Sequence, residues 1–253
     1  MAEEASRARA RAVREARGMK PVLLEGAARE TVAVRTWSDA RAFRVAGAGA
    51  RTTVLTSRAE GGKTFIKRDC DVHDDGTFEE ACERIFDRCE RAYARAVCTE
   101  TMAAESGVDV AADAFGRAAN LLNCGVWFGA ASSVTPLHYD LCHGFLIQIK
   151  GVKTFDVFHP DDFRAMYPRK DRPELSRVDV AKYLAGDARE REQFPDFGDV
   201  EPVGAYTLRP GDVLYTPPFF WHHVRTHDEE TAISVLVPFD MSPAEPIHVC
   251  HLY

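Results

Sequence analysis

The feature that most constrains the fold is the triplet His138-Tyr139-Asp140, followed far along the chain by His222. Two imidazoles and one carboxylate are a ligand set that holds iron(II) on one face and leaves the opposite face open. On a strand, His138 and Asp140 would face one spot while Tyr139 faces away. The triplet alone also fits a strand-end histidine satisfied by backbone groups beside a turn aspartate. A metal site therefore requires two distant strands to meet.

From residue 121 onward, short apolar and β-branched runs alternate with turn signals, which is typical of strands. Pro210-Gly211 suits a type II turn, in which the glycine takes the positive φ. Helical patterns dominate the earlier part of the chain, and helices followed by many short strands predict an α+β fold, mainly β, with a jelly-roll core. The predicted core strands are 121–127, 144–149, 154–158, 206–208, 213–215 and 232–237.

The chain shows no internal repeat and no long linker, so we predict a single domain over 1–253. It comprises a polar helical arm (1–20), supporting helices and strands (21–120) and the jelly-roll core (121–240). Apolar residues at spacings of three and four predict a long amphipathic helix over 78–97. The other predicted elements are helices at 5–18, after Ser38 or Asp39 as N-cap, within 101–120 and at 161–167, strands at 21–24, 31–34, 52–56 and 64–67, and a surface excursion over 168–200.

Composition narrows the class of protein. The net charge of −7 argues against a dedicated nucleic-acid binder, which usually carries a basic face. The seven cysteines include no CxxC pair, so we expect buried free thiols in a reducing compartment, the cytoplasm or the nucleus. No apolar run is long enough to span a bilayer. An arginine-rich stretch over 7–17 leaves an organelle address open, although a solvated helical arm explains it as well.

Lys153 opens a run, Lys-Thr-Phe-Asp-Val-Phe, that reads as an interior strand. A lysine facing a barrel interior is costly unless an anion accompanies it, so it is a candidate anchor for an anionic ligand. The alternative is a strand-end lysine whose amine reaches solvent. Thr135 is a candidate hydroxyl for the same ligand, or simply a β-former before a proline. The chain lacks HExxH, GxSxG, a P-loop and a strand-linked GxGxxG, which disfavours the corresponding protease, hydrolase and nucleotide-binding classes.

Three blocks in order, at 135–140, 144–153 and 209–222, resemble the JmjC oxygenases of the cupin-8 type. The likeness is strongest to the hydroxylase branch that includes the asparaginyl hydroxylase acting on hypoxia-inducible factor and the wybutosine tRNA hydroxylase. It is clearest over 121–240, and residues 62–69 resemble the strand that precedes the barrel in this group. The resemblance implies a double-stranded β-helix (cupin) core and a requirement for Fe(II), 2-oxoglutarate and O2.

Carried over to this chain, the resemblance implies iron ligands at His138, Asp140 and His222, the last because the family uses the first histidine of its Trp-His pair. The spacing alone does not choose between His222 and His223. The resemblance also implies that Lys153 and Thr135 bind the far carboxylate of 2-oxoglutarate. Two departures stand out. Gly144 replaces an asparagine common in relatives, with His143 as a candidate substitute, and the helical dimerisation extension is missing, which implies a monomer or weak dimer.

The implied activity is hydroxylation of a side chain in a protein or peptide substrate. The acidic net charge suits a basic partner. Lysine demethylation, tRNA-base hydroxylation and small-molecule hydroxylation are alternatives within the family, and a catalytically silent cupin-type binding protein is an alternative outside the enzymes. We expect the substrate groove to be lined by residues 98–120 and 168–200.

Overall fold

The structure, a computed structural model, describes residues 2–58, 62–65, 70–227 and 230–245. The strands are β1 Val22–Leu24, β2 Arg51–Ser57, β3 Cys70–Thr77, β4 Ala92–Val97, β5 Gly125–Gly129, β6 Val134–His138, β7 His143–Lys150, β8 Lys153–Phe158, β9 Gly204–Leu208, β10 Val213–Thr216, β11 Trp221–Thr226 and β12 Ala232–Phe239. The helices are α1 Ala2–Ala16, α2 Val32–Thr36, α3 Ala40–Ala46, α4 Phe78–Cys82, α5 Glu100–Ser106, α6 Val108–Phe115, α7 Val180–Leu184 and α8 Ala188–Gln193, with a π-helical turn Glu83–Asp87 and 3₁₀ turns Pro160–Asp162 and Pro195–Asp199.

Within the described part of the chain, the strands form an eight-stranded sheet in the order β1-β10-β7-β12-β5-β4-β2-β3 and a four-stranded sheet in the order β6-β11-β8-β9. The paired strands run antiparallel throughout. This arrangement confirms the predicted α+β, mainly β fold with a jelly-roll core. At the predicted turn, Gly211 has φ +96°, and the Asp212 amide donates to the Arg209 carbonyl at 2.9 Å.

Strand β7 shows how the sequence sorts the two faces of the larger sheet. Its odd-numbered residues, including Phe145 and Ile147, are fully buried in the main hydrophobic core, together with Phe43 of α3, Met102 of α5 and Phe115 of α6. The even-numbered residues point to the other face, because successive side chains of a strand alternate. The N-terminal helices therefore cover one face of the larger sheet, and the opposite face is left to line the interior between the two sheets.

The excursion between β8 and β9 covers the smaller sheet. Its apolar side chains, such as Val180 and Phe194, pack with Tyr139 and Trp221 in a separate buried cluster. The excursion also contacts β6 directly: Leu175 forms an isolated bridge with His138, and the Tyr139 amide donates to the Glu174 carbonyl at 3.0 Å. The 168–200 segment thus packs over the strand that ends at the candidate ligands.

Several predicted elements are confirmed, including the helix capped by Asp39, whose side chain accepts from the Arg41 amide. The helix predicted over 78–97 is wrong in its second half. It ends after the π-helical turn at Asp87, and residues 92–97 form β4, which pairs with β2 and β5. Apolar residues at helical spacing there were outweighed by the two strands that flank β4 and take up its backbone hydrogen bonds.

Other predictions need smaller corrections. Residues 31–34, predicted as a strand, include the start of helix α2, and 161–167 holds only the end of a 3₁₀ turn. The strand predicted at 121–127 lies at Gly125–Gly129, and β3 was not predicted. The expectation of buried thiols is wrong for Cys89, which is exposed and has φ +52°.

Part of the strand predicted at 64–67 lies outside the described residues, as does Cys250. The cysteines at 70, 82, 89, 98, 124 and 142 are free thiols. No helix in the described ranges has the length and apolar character needed to cross a membrane.

Candidate metal centre

The two predicted histidine ligands meet because β6 and β11 are neighbours in the smaller sheet. His138 is paired with His222 in the register, and their ring centroids are 4.2 Å apart. Asp140 lies two residues beyond the end of β6, so the prediction that 138–140 forms one strand is wrong. The Phe219 amide donates to the Asp140 carbonyl at 2.8 Å and fixes this turn. One ligand atom each from His138, Asp140 and His222 lies within 4.8 Å of the others.

A β-bulge positions a further residue beside these ligands. Between His222 and Val224 the register on β6 moves from His138 to Thr135, so three steps on β6 oppose two on β11. Residues three apart on a regular strand would face opposite sides. The bulge re-aims the chain, and both Thr135 and His138 line the same cavity.

The imidazoles are oriented for metal binding. His138 Nδ1 lies 2.7 Å from the Pro136 carbonyl oxygen, and His222 Nδ1 lies 3.0 Å from that of Phe220. A carbonyl only accepts, so each Nδ1 carries the hydrogen and donates it, which leaves each Nε2 free to bind a metal. Burial, and then the proximity of His138, lowers the pKa of His222. The ring is therefore neutral near pH 7, as a ligand must be.

Two nearby side chains do not belong to this candidate centre. His223 faces away from it, and Cys142 is chemically unsuited to bind a metal. His223, buried on the other face of β11, has Nδ1 3.4 Å from Asp156 Oδ2. Burial acts to raise the pKa of Asp156, but the hydrogen bond of His223 and the charge of Arg225 outweigh it and lower that pKa. The pKa of Cys142 is raised to about 12, first by burial and then by Asp140. Cys142 therefore stays a protonated thiol.

A cavity of about 130 Å³ opens beside the three ligands and contains the other two predicted site residues, Lys153 and Thr135. Lys153 is only 2% exposed. Its Nζ lies 3.4 Å from the Tyr93 hydroxyl and 5.6 Å from the centroid of that ring. Burial keeps the Lys153 amine from solvent, and none of the ion pairs among the described residues involves it. Such a buried cation fits an anionic ligand.

Gly144 also lines this cavity, and a Cβ placed there would contact only Leu236 Cδ1, at 3.5 Å. His143 does not take the place of the missing side chain, because it lies on the opposite face of β7. Its Nδ1 is 2.9 Å from the Tyr215 hydroxyl and its Nε2 is 3.2 Å from Glu245 Oε2. The glycine therefore leaves space in the cavity beside the metal ligands.

The sequence interpretation missed Tyr93 and Trp127, which line the cavity from β4 and β5. A signal was present, because Tyr93, Arg95 and Val97 alternate with small or apolar residues at the spacing of a strand. The predicted contribution of 98–120 to a groove is wrong: α5 and α6 pack into the main core on the other side of the sheet. From 168–200, Arg172 and Leu175 line a second cavity next to His138.

The chain is similar in sequence to a family of cupin-like domains and to JmjC proteins. A family profile described as a cupin-like domain matches residues 14–245. JmjC domain-containing protein D of Dictyostelium discoideum is 34% identical over 110 residues, covering 42% of this chain and 23% of that protein. Lysine-specific demethylase 8 of Danio rerio is 32% identical over 110 residues, covering 43% of this chain and 25% of that protein. The matched segment thus spans about a quarter of these relatives.

Among solved structures, the ribosomal oxygenase of Escherichia coli in complex with cobalt and 2-oxoglutarate superposes with a TM-score of 0.52 at 17% identity. The superposition covers 92% of this chain and 52% of that one. At this identity the likeness concerns the fold, which it supports over nearly the whole chain.

Proposed function

The chain belongs to the cupin-like domain family, and on that premise we propose that it is an Fe(II)- and 2-oxoglutarate-dependent dioxygenase that hydroxylates a side chain of a protein or peptide. The observation that carries the proposal is one shared cavity. His138, Asp140 and His222 offer a metal site at one side of it, and the same lining holds the buried Lys153, which has no ion-pair partner among the described residues. A buried cation beside a metal site is expected where an anionic co-substrate binds next to the metal.

The donor set fits iron(II), because His138, Asp140 and His222 would supply two imidazole nitrogens and one carboxylate oxygen, a set that leaves positions open for other ligands. When bound, iron(II) with 2-oxoglutarate supplies the oxidising chemistry that uses O2 to convert a C–H bond to C–OH, with release of succinate and CO2. Asp140 offsets part of the metal charge. The carbonyls of Pro136 and Phe220 hold the two imidazoles in the binding tautomer.

The cation in the cavity fits the second carboxylate of 2-oxoglutarate. Lys153 Nζ would pair with that carboxylate, and the hydroxyls of Tyr93 and Thr135, which line the same cavity, would donate hydrogen bonds to it. Apolar side chains, including Leu146, Phe155 and Leu236, line the same space and exclude water from it. The low local dielectric strengthens the ion pair and fixes the end of the molecule that does not react.

A polypeptide substrate is supported by the resemblance of the 135–140, 144–153 and 209–222 blocks to the asparaginyl hydroxylase branch. Two similar proteins carry names that refer to polypeptide or ribosomal targets, a lysine-specific demethylase and a ribosomal oxygenase. We favour hydroxylation over demethylation because the three sequence blocks resemble the hydroxylase branch of the family. Both outcomes use the same ligands and the same co-substrate, so the product must be identified directly.

The test measures CO2 released from 1-¹⁴C-labelled 2-oxoglutarate by the iron-loaded protein, followed by a search for +16 Da peptides in a host proteome digest. We expect slow CO2 release without substrate, its loss in His138→Ala, and its retention in His223→Ala, which changes the neighbouring histidine that faces Asp156. Hydroxylated peptides that depend on 2-oxoglutarate would support the polypeptide substrate. Absence of CO2 release with an intact metal site would contradict the enzyme and favour a silent binding protein.

A further inference from the structure

A second cavity, of about 230 Å³, adjoins the metal centre. It shares Tyr93, Trp127, Thr135 and His138 with the lining of the first cavity. The two cavities therefore lie side by side at His138. A group that occupies the second cavity lies next to the metal ligands without displacing a molecule held by Lys153.

The lining of this second cavity is mainly apolar, with Leu55, Phe65 and Leu175 among its members. Its charged residues are Arg95 and Arg172, and no aspartate or glutamate from the described residues belongs to the lining. The chain as a whole carries a net charge of −7. The sign of the charge at this cavity is thus opposite to that of the whole protein.

Arg95 is the positively charged residue of this lining that can bind an anionic ligand. It lies on the same face of β4 as Tyr93, opposite Trp127 of β5 and Thr53 of β2. Its guanidinium lies 5.8 Å from the Trp127 ring centroid. The side chain crosses Gly125, where a Cβ would come within 3.0 Å of Arg95 Nε.

Arg95 is half-buried, and none of the ion pairs between described residues involves it. Arg172 differs, because its Nε donates to Glu174 Oε1 at 2.7 Å and its side chain is 52% exposed. Glu174 offsets the charge of Arg172, whereas the partly desolvated charge of Arg95 has no such partner among the described residues. An anion delivered by a ligand would satisfy it with charge-assisted hydrogen bonds.

We propose that the second cavity binds an apolar side chain of the substrate and that Arg95 pairs with a carboxylate close to that side chain. This assignment rests on the proposed hydroxylase function and names its substrate class, an acidic polypeptide segment with an apolar residue. The expectation of a basic partner came from the net charge of the chain, and the local charge beside the metal opposes it. A free apolar carboxylic acid offers the same two groups, an apolar side chain and a carboxylate, and the experiment below distinguishes it from a polypeptide.

The test compares two fluorescent decapeptide pools with the same apolar residues at the centre and either Asp/Glu or Lys/Arg on both sides. Peptide binding is measured by fluorescence anisotropy. The protein is loaded with 2-oxoglutarate and with Zn(II) in place of iron, so that no oxidation takes place. We expect the acidic pool to bind about tenfold more tightly, the effect of one charge-assisted hydrogen bond. Arg95→Gln should remove the preference and Arg95→Glu should reverse it. Arg51→Gln, an exposed arginine on β2 outside the lining, should keep it.

Equal binding of the two pools, or a preference that survives Arg95→Gln, would overturn the assignment. If 3-phenylpropionate binds as tightly as the acidic pool and depends on Arg95, the anion site stands but the polypeptide source is refuted. Thermal stabilisation by 2-oxoglutarate is measured on the same samples. If that stabilisation is present and the preference is not, only the substrate class is wrong; if it is absent, the proposed function itself fails.

Discussion

Replacing Lys153 by methionine should have opposite effects on the ligand-free protein and on its affinity for 2-oxoglutarate. Lys153 is 2% exposed, and no carboxylate among the described residues pairs with it. Without ligand, the substitution removes a poorly compensated buried charge and keeps the volume, so we expect a gain of about 1 kcal/mol or more. For a chain of this size, that raises Tm by about 2–4 °C.

With ligand, the same substitution leaves one carboxylate of 2-oxoglutarate buried without a cation. Truncating one partner of a buried charge pair costs about 2–5 kcal/mol, so Kd should rise by a factor of about 30 or more. At a ligand concentration of about 100 times the wild-type Kd, 2-oxoglutarate stabilises the protein by about 2.7 kcal/mol, or roughly 5–11 °C. In Lys153→Met the stabilisation should fall below about 1 kcal/mol.

Differential scanning fluorimetry with Zn(II) measures both effects in one titration. Lys150→Met is the matched control, because Lys150 closes β7 with its amine 5.7 Å from the Phe86 ring, outside the cavity lining. The control should keep the full ligand-induced shift. The reasoning would be refuted if Lys153→Met kept that shift, or if it melted at a lower temperature than the wild type without ligand.

Two further changes test residues that support the site, and a third tests a helix cap away from it. Tyr93→Phe removes the hydroxyl 3.4 Å from Lys153 Nζ, so the affinity for 2-oxoglutarate, measured by calorimetry, should fall by about three- to tenfold. An unchanged Kd would contradict the proposal that Tyr93 and Lys153 bind the same carboxylate. Gly129→Ala places a Cβ 2.3 Å from Tyr93 Cδ2, so urea denaturation should show a loss of about 1–3 kcal/mol and the ligand affinity should also drop. Thr77→Ala breaks the capping box with Glu80 and should cost about 1 kcal/mol in urea denaturation without changing the ligand affinity.

The candidate metal ligands were the most predictable part of the site, because short motifs carry them. The triplet at 138–140 supplies His138 and Asp140, and the histidine that follows Trp221 completes the candidate set. The structure adds the reason that such spacing works, a β6–β11 pair in which His138 and His222 are register partners. The sequence did not show that β6 ends at His138, because local patterns rarely fix the last residue of a strand.

The lining of the cavities was harder to predict, because it depends on contacts between residues far apart in the chain. Tyr93 and Arg95 lie in a segment whose helix-forming residues and apolar spacing favour a helix. Pairing with β2 and β5 makes it a central strand instead. The same long-range pairing places Trp127 next to Arg95, which no local pattern indicates. Net charge averages over the whole chain, so it does not show the local charge at one cavity, whose lining includes Arg95 and Arg172.

The most direct test of the central claim is the visible absorption of the protein mixed anaerobically with Fe(II) and 2-oxoglutarate. We expect a charge-transfer band that saturates at one iron per chain, disappears in His138→Ala, Asp140→Ala and His222→Ala, and persists in His223→Ala. A wild-type protein that gives no band, or a band that survives loss of any one of the three ligands, would contradict the assignment of a joint iron and 2-oxoglutarate site.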